Sequence, residues 1–394
     1  MRKSPLVALF SAALMSSCSS VLVEDSPSFL DDANFLSEHA DGQLVISGTG
    51  GYVFTPSLQG RVMISAVDLS EPSQGFLNYD VVKSPPEETP FTNYGGEDRF
   101  WIGPEGSANS FYFDPGDEMD LDHWRLPAEL DSGAFHATTS ASRMERRMTL
   151  SNRNGQTFHL RIERSIETPT QAEVEELVGA LPKNAKWTAF RSVNTVYNDG
   201  NEAWTQETGL PCIWTLGMFK PAPNSLAVLP FRTDSTDPDQ GPPVRTEYFG
   251  ELDDDRFRIE NGFALFRIDA KYKSKVGIYR NRAKNVMAAF NPDTRVLTVV
   301  QFSAVVPKAP YVNERWVTDV DPYYGDVINS YNHDGPEQFF ELESSSPGLE
   351  LEPGKKHTHV STTCHFRFET DAQLADAVWQ ALGLDWAKVE AAWF

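Results

Sequence analysis

The sequence RMERRMTLSNRNGQTFHLRIERSI, residues 143–166, indicates the fold class of this chain. Two runs of β-forming residues flank the turn-forming group Asn152-Arg-Asn-Gly155, an arrangement typical of a β-hairpin. Similar short runs, bounded by Gly, Pro and Ser, continue from residue 43 to residue 368. No repeat of fixed period and no linker divides residues 40–370. The sequence therefore predicts an all-β protein with one large antiparallel sandwich.

Helical patterns are confined to three places. Apolar residues at roughly helical spacing predict a short helix at about residues 28–38. Thr170 and Glu173 form a capping box that opens a helix to about Leu181. A third helix follows Thr370 or Asp371. We expect a tether and short helix over 18–40, the sandwich over 41–370, and a C-terminal helical tail over 371–394.

Residues 1–17 have the pattern of a bacterial lipoprotein signal peptide. Arg2 and Lys3 precede a short apolar stretch, and small residues then precede Cys18. Cleavage there would leave Cys18 as a lipid-carrying N-terminus that attaches the protein to a membrane. An ordinary secretory signal cut nearby is the alternative. We expect a location in the bacterial cell envelope, lipid-anchored and periplasmic or surface-facing, with secretion as the alternative.

The charge balance excludes one broad class of partner. The chain has 34 basic and 56 acidic residues, a formal net charge of -22. Nucleic-acid binding requires a basic surface that displaces counterions from phosphates, so a nucleic-acid partner is not expected.

The densest polar cluster lies at residues 93–106. Gly95 and Gly96 permit a tight turn before Glu97, Asp98, Arg99 and Trp101. An aromatic plane beside charged hydrogen-bonding groups is typical of sugar binding. The alternative is a buried Arg–Glu pair that fixes a loop.

A second cluster lies at residues 321–335. It contains Asp326, Asn329, Tyr331 and Asn332, which offer many directional donors and acceptors. Such a loop lines a polar cleft or binds a hard cation such as calcium. Beyond this calcium alternative, no cofactor is expected.

The third cluster places carboxylates and imidazoles at strand spacing. Glu341 and Glu343 project from one face of a strand, as do His357 and His359 from another. A carboxylate facing an imidazole suits acid–base catalysis near neutral pH. The alternatives are a zinc site and histidines that face solvent at a sheet end. Lys275, in a basic strand start, meets an acidic substrate or lies on a solvated face.

Four stretches carry a resemblance to a known family. They are QGRVM at 59–63, YGGEDRFWIGPEG at 94–106, YYGDVINSYN at 323–332 and FELESSSP at 340–347. In their order along the chain they resemble the galactose mutarotase-like superfamily, and within it an uncharacterised group of exported bacterial proteins. The resemblance covers about residues 40–370 and implies a large antiparallel β-supersandwich with a sugar-binding cleft.

The resemblance also implies catalytic roles. Mutarotases interconvert the anomers of free sugars with a late glutamate base, a position that Glu343 resembles, with Glu341 as the other candidate. No histidine follows the Asn198-Asp-Gly200 segment, where those enzymes place one. We therefore expect Glu343 as base, Arg99 as the group that neutralises developing negative charge, and His359 as proton donor.

The predicted function is that of a carbohydrate-active protein of the cell envelope, an epimerase that transfers protons by acid–base chemistry. A lyase acting on acidic glycans and a non-catalytic glycan-binding lipoprotein are the alternatives. The predicted substrate-binding residues are Glu97, Asp98, Trp101, Asp326, Asn329, Tyr331, Asn332, Glu341 and Lys275. The predicted partner is a mono-, oligo- or polysaccharide.

Overall fold

The computed structural model describes residues 26–131, 133–234 and 241–393. The predicted signal peptide and Cys18 lie outside these ranges. Among the described residues, no helix is long and apolar enough to cross a membrane. The helices are α1 (Phe29–His39), α2 (Tyr79–Lys83), α3 (Ala128–Asp131), α4 (Gln171–Val178), α5 (Asp371–Leu382) and α6 (Trp386–Trp393).

Most of the described chain forms β-strands. In chain order they are β1 (Gln43–Ser47), β2 (Gly50–Thr55), β3 (Arg61–Ala66), β4 (Arg99–Gly103), β5 (His136–Ser140), β6 (Arg143–Ser151), β7 (Thr157–Glu167), β8 (Lys186–Asn198), β9 (Cys212–Phe219), β10 (Leu226–Pro230), β11 (Val244–Arg245), β12 (Phe257–Glu260), β13 (Phe263–Arg267), β14 (Ser274–Tyr279), β15 (Val286–Asn291), β16 (Val296–Phe302), β17 (Asp326–Asn332), β18 (Phe340–Ser345) and β19 (Lys356–Arg367).

Two large antiparallel sheets form the sandwich. The ten-stranded sheet has the order β12-β13-β10-β15-β16-β19-β8-β7-β6-β5, and the six-stranded sheet has the order β11-β14-β17-β18-β9-β4. The predicted hairpin is β6–β7, in which Arg143 pairs with Ser165 and Ser151 with Thr157. The all-β supersandwich expected from the sequence is confirmed.

The core lies between the two sheets. Phe340 and Leu342 of β18 pack with Leu229, Met287 and Val300 of the ten-stranded sheet. Because side chains alternate across a strand, the intervening residues of β18 must point to the opposite face of the six-stranded sheet. That second face is free to form a site.

Helices and a small sheet cover the remaining apolar surfaces. α4, α5 and α6 pack on the outer face of the ten-stranded sheet through Val174, Val378 and Trp386. α1 packs on the sheet of β1, β2 and β3 through Phe29 and Leu36. Its capping box, in which the Ser28 side chain accepts from the Asp31 N–H, fixes where the helix begins.

Candidate active site

One face of the six-stranded sheet is the floor of a cavity of about 560 Å³. The strand register places Arg99 opposite Leu216, Leu216 opposite Glu343, and Glu343 opposite Asn329. These residues form one row across four strands with their side chains on the same face. Adjacent strands are about 4.8 Å apart, so Arg99 and Glu343 lie about 10 Å apart at the backbone.

A second row runs beside the first. Lys275 is opposite Tyr331, Tyr331 is opposite Glu341, and Glu341 is opposite Met218. All four residues line the cavity. The pleat therefore collects on one surface residues that come from four separate regions of the sequence.

Arg99 and Glu341 form a buried ion pair on this floor. Arg99 Nη2 donates to Glu341 Oε1, and the side chains are 1% and 9% exposed. Burial raises the pKa of Glu341 to about 7, because the negative charge of Glu343 adds to desolvation and outweighs the attraction of Arg99 and Lys275. Near neutral pH this carboxyl group can both accept and release a proton.

Lys275 and Glu343 form the second buried ion pair. Lys275 Nζ donates to Glu343 Oε2 at 3.0 Å, and Trp214 Nε1 donates to the same oxygen at 3.1 Å. Burial by itself would lower the pKa of Lys275, but the charges of Glu343 and Glu105 raise it above its ordinary value. Lys275 is therefore a cation, and Glu343 is held firmly by two donors.

Two further carboxyl groups, those of Glu105 and Glu314, line the cavity. The Glu105 backbone N–H donates to Glu314 Oε2, and Trp124 Nε1 donates to Glu105 Oε1 at 3.0 Å. Burial raises the pKa of Glu314 to about 8, and burial also raises the pKa of Glu105. Glu314 is thus a protonated acid at neutral pH, because burial outweighs the Glu105 N–H bond and the charge of Lys275, both of which lower its pKa.

Aromatic side chains form much of the cavity wall. Trp101 and Trp214 meet edge to face, with ring centroids 5.6 Å apart, and Trp124 and Trp316 also line the cavity. Arg99 lies over the Trp101 ring at 4.8 Å. Trp214 is only 2% exposed. It nevertheless lines the cavity, because it is adjacent to Trp101 across β4 and β9.

Five of the predicted site residues reach the cavity surface directly, and two more lie just beneath it. Arg99, Trp101, Lys275, Tyr331 and Glu341 line the cavity.

Glu343 and Asn329 lie under this surface. Glu343 is held beneath the floor by its two donors. Asn329 Nδ2 donates to Tyr248 Oη at 3.0 Å, and Tyr248 lines the cavity. Asp326 also contacts Tyr248 and accepts from Arg245 Nε at 3.0 Å, so it positions that tyrosine.

His359 lies on the wrong side of the sheet for the role of proton donor. Its Nε2 is 3.0 Å from Ser344 Oγ, and Ser344 points away from the face that carries Glu343. Burial lowers the pKa of His359 to about 3, so the imidazole is neutral at pH 7. We therefore do not retain His359 as a catalytic group.

Glu97 and Asp98 belong to the interior of the sandwich and do not line the cavity. Glu97 lies 2.9 Å from His365 Nε2 and accepts from Ser65 Oγ at 2.8 Å. Asp98 pairs with the buried Arg164. Their bonds are those of a buried ion-pair network, the alternative that the sequence left open.

Asn332 is also structural. Its Oδ1 accepts from the Ala270 N–H at 2.8 Å, and its Nδ2 donates to the Tyr272 carbonyl at 2.8 Å. Both ends of the amide hold the segment before β14, and Asn332 is fully buried and does not line the cavity.

The described part of the chain contains no cluster of side chains that would support the calcium or zinc alternative. There, no group of three or more His, Cys, Asp or Glu side chains is arranged to hold a metal ion. In the 321–335 loop, Asp326 instead binds Arg245 and Tyr248.

Sequence reasoning did not select Glu105, Glu314, Trp124 or Trp316. A signal was available, because Glu314-Arg-Trp316 repeats the acid, arginine and tryptophan composition of residues 97–101. The pairing of this segment with Glu105 depends on two long loops that meet above the floor, and no local pattern predicts that contact.

Comparison with known families assigns the chain to a family. The profile of a family described only as a family of unknown function, DUF6786, matches residues 27–393. The chain belongs to this family. No curated protein matches the sequence.

A search of solved structures finds several that align with most of this DUF6786 member. The Slr1438 protein of Synechocystis sp. PCC 6803 is 11% identical, with a TM-score of 0.47, and the alignment covers 82% of this chain and 95% of that chain. A galactose mutarotase-like protein of Clostridium acetobutylicum is 11% identical over 82% and 95% of the two chains, with a TM-score of 0.43.

A 4-alpha-glucanotransferase of Thermococcus litoralis is 8% identical, with a TM-score of 0.30, and the alignment covers 83% of this chain and 37% of that chain.

Proposed function

We propose that this protein binds a carbohydrate in the cavity of the six-stranded sheet and interconverts its anomers by acid–base proton transfer. The observation that carries the proposal is Glu341, a cavity-lining carboxyl group with a pKa near 7, held by Arg99 and surrounded by tryptophans. The cavity volume of about 560 Å³ is within the range of sites for small ligands.

The reaction needs one base and one acid. Glu341, ionised, takes the proton of the anomeric hydroxyl group as the bond between the anomeric carbon and the ring oxygen breaks. Glu314, protonated at neutral pH, gives a proton to that ring oxygen. Rotation about the next bond and the reverse transfers close the ring as the other anomer, so atoms and protons balance. Arg99 stabilises the ionised form of Glu341, which is the form that acts as the base.

Unpartnered buried groups also favour a hydroxylated ligand. Trp101 Nε1, Arg99 Nε and Arg99 Nη1 are buried donors without a partner, and Glu343 Oε1 is a buried acceptor without one. Such groups are costly unless a ligand or water completes their hydrogen bonds. A sugar ring with several hydroxyl groups supplies both donors and acceptors.

The pH dependence tests the proposal directly. Saturation-transfer NMR on free aldoses should show accelerated anomer exchange, with kcat/KM falling about tenfold per pH unit below about pH 7, since the base must be ionised. Protein-free samples at each pH give the spontaneous rate. Sugar binding without faster exchange would favour the glycan-binding alternative, and no binding of any sugar would overturn the proposal.

We also propose that Cys18 carries a lipid that holds the protein in the cell envelope. Cells expressing the full chain and fed labelled palmitate should yield a labelled protein in the membrane fraction, and Cys18→Ser should lose the label. Retention of the label in the Cys18→Ser variant would contradict this assignment.

A further inference from the structure

We infer that the preferred ligand of the cavity is an amino sugar, a pyranose with a free ammonium group, and that Glu105 binds that group. The inference rests on the proposed carbohydrate function and names the substrate class of the same site.

The buried cations of the cavity already have anionic partners. Arg99 is bound by Glu341, and Lys275 is bound by Glu343. Each pair joins one positive to one negative charge, so the floor has no net positive charge to attract an anionic group of a ligand, and the remaining Arg99 donors, Nε and Nη1, are available to hydroxyl groups. An anionic ligand could bind Arg99 or Lys275 only by displacing its carboxylate partner. The displaced carboxylate would then be buried without a positive charge, which is unfavourable.

Glu105 and Glu314 have no such partner. In the described ranges, neither carboxyl group has a salt bridge within 4.0 Å, although both line the cavity, and the charge of Lys275 only partly offsets the effect of burial on their pKa values. The cavity therefore has more carboxyl groups than cations close to its floor. Transfer of the Glu105 carboxylate from water is unfavourable unless a positive charge accompanies it, and a ligand ammonium group would supply that charge.

Glu105 is the better placed of the two carboxyl groups. Glu314 is 3% exposed and accepts from the Glu105 backbone, whereas Glu105 is less deeply buried. Trp124 Nε1 fixes Glu105 Oε1 at 3.0 Å. The burial that raises the pKa of Glu105 would be offset by an adjacent ammonium group.

The aromatic wall favours the same ligand charge. Trp101, Trp124, Trp214 and Trp316 line the cavity around these carboxyl groups. The faces of indole rings attract cations, and aromatic walls with nearby carboxylates are a recurrent way to bind ammonium groups. A carboxylated sugar would meet the same ring faces and the Glu105 carboxylate, both of which repel an anion.

Unpartnered groups on the floor point to the rest of the ligand. Trp101 and Arg99 line the cavity, and Trp101 Nε1, Arg99 Nε and Arg99 Nη1 have no partner. These groups suit hydroxyl groups of a ring. Two other cations, Lys273 and Arg315, lie at the cavity rim, where both are partly exposed and water screens their charge.

Matched sugars test the inference by titration calorimetry at neutral pH. Fully deacetylated chitotriose and cellotriose share their backbone and differ in the amine. Glucosamine, glucose, N-acetylglucosamine and glucuronate give the same comparison for monosaccharides. We expect each free amine to bind at least about tenfold more tightly than its neutral counterpart, and glucuronate to bind more weakly than glucose.

Variants assign the effect to a residue. Glu105→Gln should reduce the amine preference to about twofold or less, because the amide keeps the size and loses the charge. Glu260→Gln removes one exposed carboxylate at the edge of the other sheet and should leave the preference unchanged. Circular dichroism checks that each variant folds.

The outcomes separate the two proposals. Equal binding of amine and hydroxyl sugars by the wild-type protein would overturn the amino-sugar inference and leave the carbohydrate function standing. Absence of binding to any sugar would overturn both. If Glu105→Gln does not fold, the wild-type comparison of deacetylated with N-acetylated chitotriose decides, since only the free amine carries the charge.

Discussion

Replacing Glu341 with glutamine is expected to lower the rate of anomer exchange by about 10³-fold while changing sugar affinity less than about threefold. Glutamine keeps the length of the side chain and an oxygen that accepts from Arg99. It cannot take the proton of the anomeric hydroxyl group, so we expect kcat to decrease while the dissociation constant changes little. Exchange rates by NMR and dissociation constants by calorimetry measure the two effects separately.

Glu343→Gln is the matched control for this prediction. Glu343 is two residues along β18 on the same face, and the resemblance favours it as the base. Its carboxylate is held by Lys275 and Trp214, so we expect this substitution to weaken folding or binding more than the proton transfer itself. Loss of exchange in Glu343→Gln with normal exchange in Glu341→Gln would return the base role to Glu343.

Asp98→Ala should lower the free energy of unfolding by about 3–5 kcal/mol, because it leaves the Arg164 guanidinium buried without its anionic partner. The two side chains are 3% and 0% exposed. Ser192 Oγ also donates to Asp98 at 2.7 Å and would lose this acceptor. Urea unfolding followed by circular dichroism measures the change.

Asp234→Ala provides the comparison at an exposed ion pair. Asp234 lies 3.3 Å from Arg232, and its side chain is 73% exposed, so its removal should change stability by less than about 0.5 kcal/mol. A normal unfolding curve for Asp98→Ala, together with lost sugar binding, would show that Asp98 belongs to the binding site after all.

Residues 93–106 supply side chains to the cavity, but their composition could not say which of them line it. Arg99 and Trp101 lie on the cavity face of β4 and line the cavity. Asp98 and Glu97, just before this strand, turn toward the interior, where Arg164 and His365 bind them. Their partners lie 66 and 268 positions away, so local spacing contains no information about these contacts.

The same limit applies to the acid–base groups. Alternation correctly places Glu341 and Glu343 on one face, because the side-chain period of a strand is fixed by its backbone. The face that His359 shares depends on which sheet β19 joins, and β19 lies in the ten-stranded sheet. His359 therefore meets the core-facing side of β18, where Ser344 is its neighbour.

The sequence by itself determined the all-β architecture, the β6–β7 hairpin and the helical capping boxes, because strand alternation, turn residues and caps act over a few positions. Only the tertiary structure decided which polar residues share the cavity. Strand order brings Arg99 beside Glu341 across 242 positions, and loop packing brings Glu105 to Glu314 across 209. Burial and charge pairing at those contacts then set the pKa values on which the proposed chemistry depends.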